Sequence, residues 1–71
     1  MEDQAISYEG VADTLEDALH AAHEKIPVRP GRDFTTSRVI DWGMQFGGFV
    51  PQTIYYVRVV EDPAATFKTK G

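Results

Sequence analysis

The chain contains no cysteine, so neither a disulfide nor a thiolate metal cage can stabilise its fold. Its 71 residues are enough for one small domain. A domain of this size buries only roughly 60% of the surface that its unfolded chain exposes. Association between subunits is the remaining common way to stabilise so small a core. The absence of cysteine therefore favours an oligomer.

Long apolar segments are also missing. No run approaches the ~20 apolar residues of a transmembrane helix. The N-terminus carries Glu2 and Asp3, where a secretory signal would carry basic residues. We therefore expect a cytoplasmic protein with no membrane partner.

Lysine and arginine are absent from the first 24 positions, which hold seven of the eleven Asp and Glu residues. All seven Lys and Arg residues lie from Lys25 onward, and the net charge is −4. Nucleic acid is bound through clustered basic side chains. The charge distribution therefore predicts no nucleic-acid partner, and the separation of charge can help neighbouring subunits to dock.

The most regular pattern in the chain is a set of apolar residues at helical spacing. Asp13 or Thr14 can cap a helix, with Glu16 or Asp17 at the third helical position, and Pro27 ends it. The apolar residues fall within one stripe of a helix: Leu15, Ala18, Leu19, Ala22 and Ile26. The pattern predicts one helix that reaches Ile26.

Three segments have the composition of β-strands. Residues 4–9 form a short strand that Gly10 interrupts, and residues 34–46 and 53–60 form two longer strands. We expect a bulge or a close backbone approach at Gly43.

The order of these elements is β-α-β-β, with a turn at Gly47-Gly48 between the last two strands. The predicted fold is α+β, a single domain in which a three-stranded antiparallel sheet packs on one helix. Residues 64–71 have little to pack against, and we expect them to form a mobile tail.

The two longer strands carry large apolar side chains at both odd and even positions. In the strand of residues 34–46, Trp42, Met44 and Phe46 occupy even positions. In the strand of residues 53–60, Val57 and Val59 occupy odd positions. A single helix covers only one face of a sheet. We therefore expect a second copy of the chain to cover the other face.

Two polar clusters are candidate sites. Glu16, His20 and His23 lie on one flank of the predicted helix, at a spacing that suits a divalent metal or a solvated helix face. Arg29 and Arg32 can hold a phosphate or remain solvated. The sequence shows no Gly-rich phosphate loop and no nucleophile near an obvious base, so we do not expect an enzyme.

A family resemblance rests on the element order and on two segments. Tyr8-Glu9-Gly10 precedes the acidic helix cap, and Val39-Ile40-Asp41-Trp42-Gly43-Met44 lies in the second strand. With these segments and their spacing, nearly the whole chain resembles the dodecins. Dodecins assemble into hollow dodecamers and bind flavins in antiparallel pairs. The resemblance implies a dodecamer that stores a flavin such as FMN, riboflavin or FAD.

The resemblance also implies where a ligand would bind. Dodecins stack flavins between tryptophans of strand two, and a glutamine of strand three bonds the ring. This chain has Thr36 and Tyr55 at those positions, and neither offers the same contact. Phe34 or Tyr55 can stack on a ligand and Arg38 can bind a phosphate, which implies a changed ligand or pose. The alternative is a structural or interaction module on the same fold with no bound flavin.

Overall fold

The computed structural model describes residues 6–31 and 34–63. The fold is α+β with the predicted order β-α-β-β. Its elements are β1 (Ser7–Ala12), α1 (Leu15–His23), β2 (Ser37–Gly47) and β3 (Gln52–Glu61). The predicted mobile tail and the predicted strand start at Gln4 lie outside the described residues. Within those residues, no helix has the length and apolarity to cross a membrane.

The last strand of the chain lies at the centre of the sheet. The strand order is β1-β3-β2, and β3 is antiparallel to both neighbours. A turn of residues 48–51 joins β2 to β3, so it is longer than a tight turn centred on Gly47-Gly48, although both glycines have positive φ angles, 134° and 106°. Both β1 and β2 are therefore edge strands, and α1 connects them.

The helix begins where its capping residue predicts. The side-chain oxygen of Thr14 accepts a hydrogen bond from the backbone N–H of Asp17, at 3.1 Å. The α-helix ends at His23, earlier than the predicted end at Ile26. Two backbone hydrogen bonds between residues three positions apart, as in a 3₁₀ turn, follow the helix. Lys25 N donates to Ala22 O at 3.2 Å, and Ile26 N donates to His23 O at 3.1 Å.

Gly10 does not interrupt the first strand, and that prediction is wrong. β1 continues through Gly10 to Ala12. A Cβ atom at Gly10 would overlap the backbone of Ala18 and Ala22 in α1, and would lie 2.9 Å from the Ala21 Cβ. The glycine is therefore required by the close contact between strand and helix.

The core lies between α1 and the two strands that it covers, β1 and β3. Its buried residues are Ala18, Ala22, Ile26, Val57 and Val59, with Tyr8, Ala12 and Tyr55 packed against them. On β3, the largest fully buried side chains are Val57 and Val59. The core is small and leaves β2 outside it.

The bulge in β2 lies at Ile40, so the prediction of a bulge or close approach at Gly43 is wrong. Val39 pairs with Val59 and Asp41 pairs with Arg58, which leaves Ile40 as the extra residue. Gly43 is in regular register, and a Cβ there would have no atom within 4 Å. Because a bulge changes the side-chain parity, Val39 and Trp42 face the same side of the sheet.

We expect Gly10→Ala to destabilise the protein by about 1–3 kcal/mol or more, because the backbone of α1 would have to move to admit the methyl group. Gly43→Ala is the matched control, and it should change stability by less than about 0.5 kcal/mol. Urea unfolding at a fixed protein concentration measures both. Equal stability of the two variants would contradict the close approach at Gly10.

We expect Thr14→Ala to reduce the free energy of unfolding by about 1 kcal/mol, because the N–H of Asp17 loses its acceptor. Thr14→Ser keeps the hydroxyl and should remain near the parent stability. The same urea experiment measures the difference. A loss in the serine variant as large as in the alanine variant would show that the cap hydroxyl is not responsible.

Candidate functional site

An apolar strip runs along the side of β2 that faces the helix layer. It consists of Val39, Trp42, Met44 and Phe46, whose cross-strand partners on β3 include Val59, Val57 and Tyr55. Trp42 is 59% exposed, Met44 60% and Phe46 69%. The helix covers β1 and β3 and leaves these side chains in solvent. This apolar strip is an exposed apolar surface on an edge strand of the described sheet.

The opposite face of β2 is polar. Arg38, Asp41 and Gln45 pair with Val60, Arg58 and Ile54 of β3 and lie away from the helix. The sequence predicted apolar side chains on both faces of the two longer strands, and on this face they come from β3, at Ile54, Tyr56 and Val60, while the paired residues of β2 are polar or glycine. The bulge at Ile40 brings the apolar residues on either side of it onto one face.

Charged side chains cross the centre of this polar face. Glu9 Oε2 accepts hydrogen bonds from Arg58 Nη2 at 3.1 Å and from Tyr56 OH at 3.3 Å. The pKa of Arg58 is raised, first by the charge that Tyr56 can carry and then by the hydrogen bond to Glu9. Arg58 therefore stays charged and joins β3 to β1.

Two of the predicted ligand residues lie together where β2 begins. Thr36 donates its hydroxyl hydrogen bond to the Asp62 carbonyl at 2.6 Å, and Arg38 Nε lies 3.3 Å from Asp62 Oδ2. Asp62 N also donates to Thr36 O at 2.9 Å. Both side chains thus hold the end of β3 in the single subunit.

The other two predicted ligand residues lie elsewhere. Tyr55 is on the helix side of β3, packed against the core and opposite Met44. It is seven positions from Asp62, or about 23 Å along an extended strand. Phe34 precedes β2 and is exposed. The four predicted residues therefore do not form one site within a subunit.

Arg29, one of the two arginines of the candidate phosphate site, forms an ion pair with Glu61. Arg29 Nη2 lies 2.8 Å from Glu61 Oε1, and Arg29 Nε lies 3.4 Å from Glu61 Oε2. The hydrogen bond to Glu61 raises the pKa of Arg29. Its partner in the prediction, Arg32, lies outside the described residues.

A groove separates α1 from the start of β2. It encloses about 430 Å³, and its lining includes Glu16, Leu19, His20, His23, Ser37 and Val39. We call it the helix–β2 groove. It forms because α1 lies over β1 and β3, which leaves a gap beside the first residues of β2. Its volume falls within the range of small-molecule sites.

One contact in the groove is not visible from the sequence. His23 Nδ1 and Ser37 Oγ are 2.7 Å apart and partly buried, although 14 positions separate them in the chain. The fold thus brings a serine next to a base, which the sequence did not predict. In the part of the chain that the structure describes, His23 makes no hydrogen bond to a carboxylate, the group that orients the histidine of a serine-protease triad.

The helical His and Glu residues do not form a metal site among residues 6–31 and 34–63. His20 Nε2 lies 3.6 Å from Glu24 Oε2, so its nearest carboxylate is one turn further along the helix and is not Glu16. The spacing of Glu16, His20 and His23 left open a metal or a solvated helix face, and the metal alternative is not supported within the described residues.

Comparison of the chain with protein-family models, curated proteins and solved structures gave no match. The resemblance to dodecins therefore stays a prediction from the sequence, beside a fold whose element order agrees with it.

Proposed function

We propose that this chain is a non-catalytic subunit of a cytoplasmic homo-oligomer that binds or stores a planar aromatic ligand of the flavin type, namely FMN, riboflavin or FAD. The observation that supports the proposal best is the apolar strip on β2. Large apolar side chains lie side by side there on an edge strand and on one face. Contiguous apolar patches of this kind mark interaction sites.

The small core supports association. Val57 and Val59 are the largest side chains that are fully buried, and a fully buried valine contributes roughly 1.5–3 kcal/mol. Trp42, Met44 and Phe46 are larger, and they remain mostly exposed. Covering them would add more apolar burial than the subunit core obtains from its valines, and binding to the folded state stabilises it by mass action.

A second copy of the chain is the partner that fits this surface. The strip lies on β2, whose outer edge has no neighbouring strand within the described sheet. That edge offers backbone hydrogen bonds beside the apolar area. A contact between two identical copies uses the same surface twice, which is the usual arrangement in soluble oligomers. The dodecin resemblance implies twelve copies.

A planar ligand would then bind between subunits. Phe34, Thr36, Arg38 and Tyr55 do not converge in one subunit, so a site that used them would need residues from neighbouring copies. Trp42 offers an additional ring, and aromatic side chains stack on planar ligands. The engagement of Thr36 and Arg38 with Asp62 favours the second candidate, the same oligomer without a flavin.

We expect Met44→Lys to yield smaller particles than the parent protein in native mass spectrometry, because burial of an unpaired ammonium group costs several kcal/mol. Gln45→Lys is the matched control, since residue 45 lies on the opposite face of the same strand. It should keep the parent mass. A parent protein that is monomeric, or equal masses for the two variants, would refute association through the strip.

We expect FMN to lose fluorescence when it is titrated with the oligomer, because a stacked ring is quenched. Trp42→Leu keeps most of the apolar area but removes the ring, and it should weaken binding about two- to tenfold. Native mass spectrometry of the same variant checks that assembly is intact. An intact parent oligomer that leaves FMN, riboflavin and FAD fluorescence unchanged would favour the structural module.

A further inference from the structure

The helix–β2 groove has an electrostatic character of its own. Among residues 6–31 and 34–63, Glu16 lines it and no lysine or arginine does. His20, His23 and Glu24 lie at the C-terminal end of α1, where the helix dipole is negative and favours cations. From these charges and the apolar lining of Leu19 and Val39, we propose that the groove binds an organic ammonium ion, a protonated primary amine on a short hydrocarbon stem.

The basic side chains around the groove are engaged elsewhere. Lys25 Nζ donates to the Glu9 carbonyl at 2.6 Å. Arg29 is paired with Glu61, and Arg38 is paired with Asp62. None of these cations lines the groove, so within the described part of the chain the Glu16 carboxylate is the full charge that an entering ligand meets there. A carboxylate or phosphate ligand would be repelled by it, whereas an ammonium group would be attracted.

The apolar part of the lining suits a hydrocarbon stem. Leu19 of α1 and Val39 of β2 both line the groove, and both are only partly covered by the rest of the fold. Burial of a methylene group against such a wall contributes about 0.8 kcal/mol, or roughly a fourfold gain in affinity. A small inorganic cation would leave this wall exposed to water, so the lining favours an organic cation.

The Ser37–His23 contact provides acceptors for the ammonium protons. When the imidazole proton is on Nδ1, this N–H donates to Ser37 Oγ at 2.7 Å, and Nε2 keeps a free lone pair. An ammonium group has three donors, for which the imidazole Nε2 and a lining hydroxyl such as that of Thr35 are acceptors, while Glu16, about 10.5 Å from His23 along the helix axis, attracts the charge from further along the groove. The bound amine would therefore select this tautomer of His23.

This site shares Val39 with the apolar strip, while Trp42, Met44 and Phe46 do not line it. The groove lies where β2 begins, at Ser37, while the ring of Phe46 lies near the other end of the strand, nine positions or about 30 Å away. The amine would not stack on Trp42. A failure of either proposal therefore leaves the other standing.

The test is isothermal titration calorimetry of the protein as purified, with pentylamine as the probe. Pentanol carries the same stem without the charge, and pentanoate reverses the charge. We expect saturable binding of pentylamine, and at least fivefold weaker binding of both analogues. Equal or tighter binding of pentanoate, or no saturable heat with pentylamine, would overturn the proposal.

Two variants and one control assign the binding to the groove. Glu16→Gln should weaken pentylamine binding about threefold to fivefold, the scale of one exposed ion pair. Ser37→Ala should weaken it about twofold to fivefold, because the His23 tautomer is no longer held. Asp17→Asn removes a neighbouring charge that does not line the groove and should leave binding unchanged.

Two results of the variant series would contradict the assignment. The first is an equal loss in Glu16→Gln and Asp17→Asn, which would show that the amine responds only to the net charge of the helix. The second is stoichiometric displacement of pentylamine by Zn²⁺, which would identify a metal site. Native mass spectrometry of each variant separates these outcomes from any change in assembly.

Discussion

The contact between Gly10 and α1 sets the position of every other element. The backbone of Ala18 and Ala22 lies so close to β1 that only a glycine fits beneath it. This contact holds the helix over β1 and over β3, its neighbour in the sheet. A helix is about 10 Å wide, while strands are about 4.8 Å apart. One helix held at β1 therefore cannot also cover β2.

The bulge at Ile40 gives the uncovered strand its chemical character. Without the extra residue, Val39 and Trp42 would lie on opposite faces, and β2 would present mixed surfaces to both sides. With it, the apolar residues lie on the side of the helix layer, while Asp41 lies opposite Arg58 on the other side. The bulge and the helix position together create the apolar strip and the groove.

Local signals predicted the local features of this fold. The cap at Thr14 and the helical spacing of Ala18 and Ala22 require only neighbouring residues, and the structure confirms the helix start. The failures involve long-range pairing. Glycine is a residue type that often marks a bulge, and isoleucine is not, so the sequence indicated Gly43. The pairing of β2 with β3 instead leaves Ile40 as the extra residue.

The candidate site shows the same limit of sequence reasoning. Thr36 and Arg38 are close in sequence and close in the structure, where both contact Asp62. Tyr55 was grouped with them by resemblance, but it lies on the face of the sheet opposite to Arg38. The contact between Ser37 and His23 spans 14 positions and depends on how α1 crosses the sheet. No spacing pattern could have indicated it.

The two ends of β2 therefore differ in what they can bind. At its start, the pairs Arg29–Glu61 and Arg38–Asp62 are exposed, so each contributes at most about 1 kcal/mol. They join Arg29 and Arg38 to the end of β3, beside the chain that enters β2. Towards its other end, β2 has no such pairs among the described residues and presents Trp42 and Phe46. Assembly through Trp42, Met44 and Phe46 and amine binding in the groove thus use opposite ends of one strand, with Val39 as the side chain common to both.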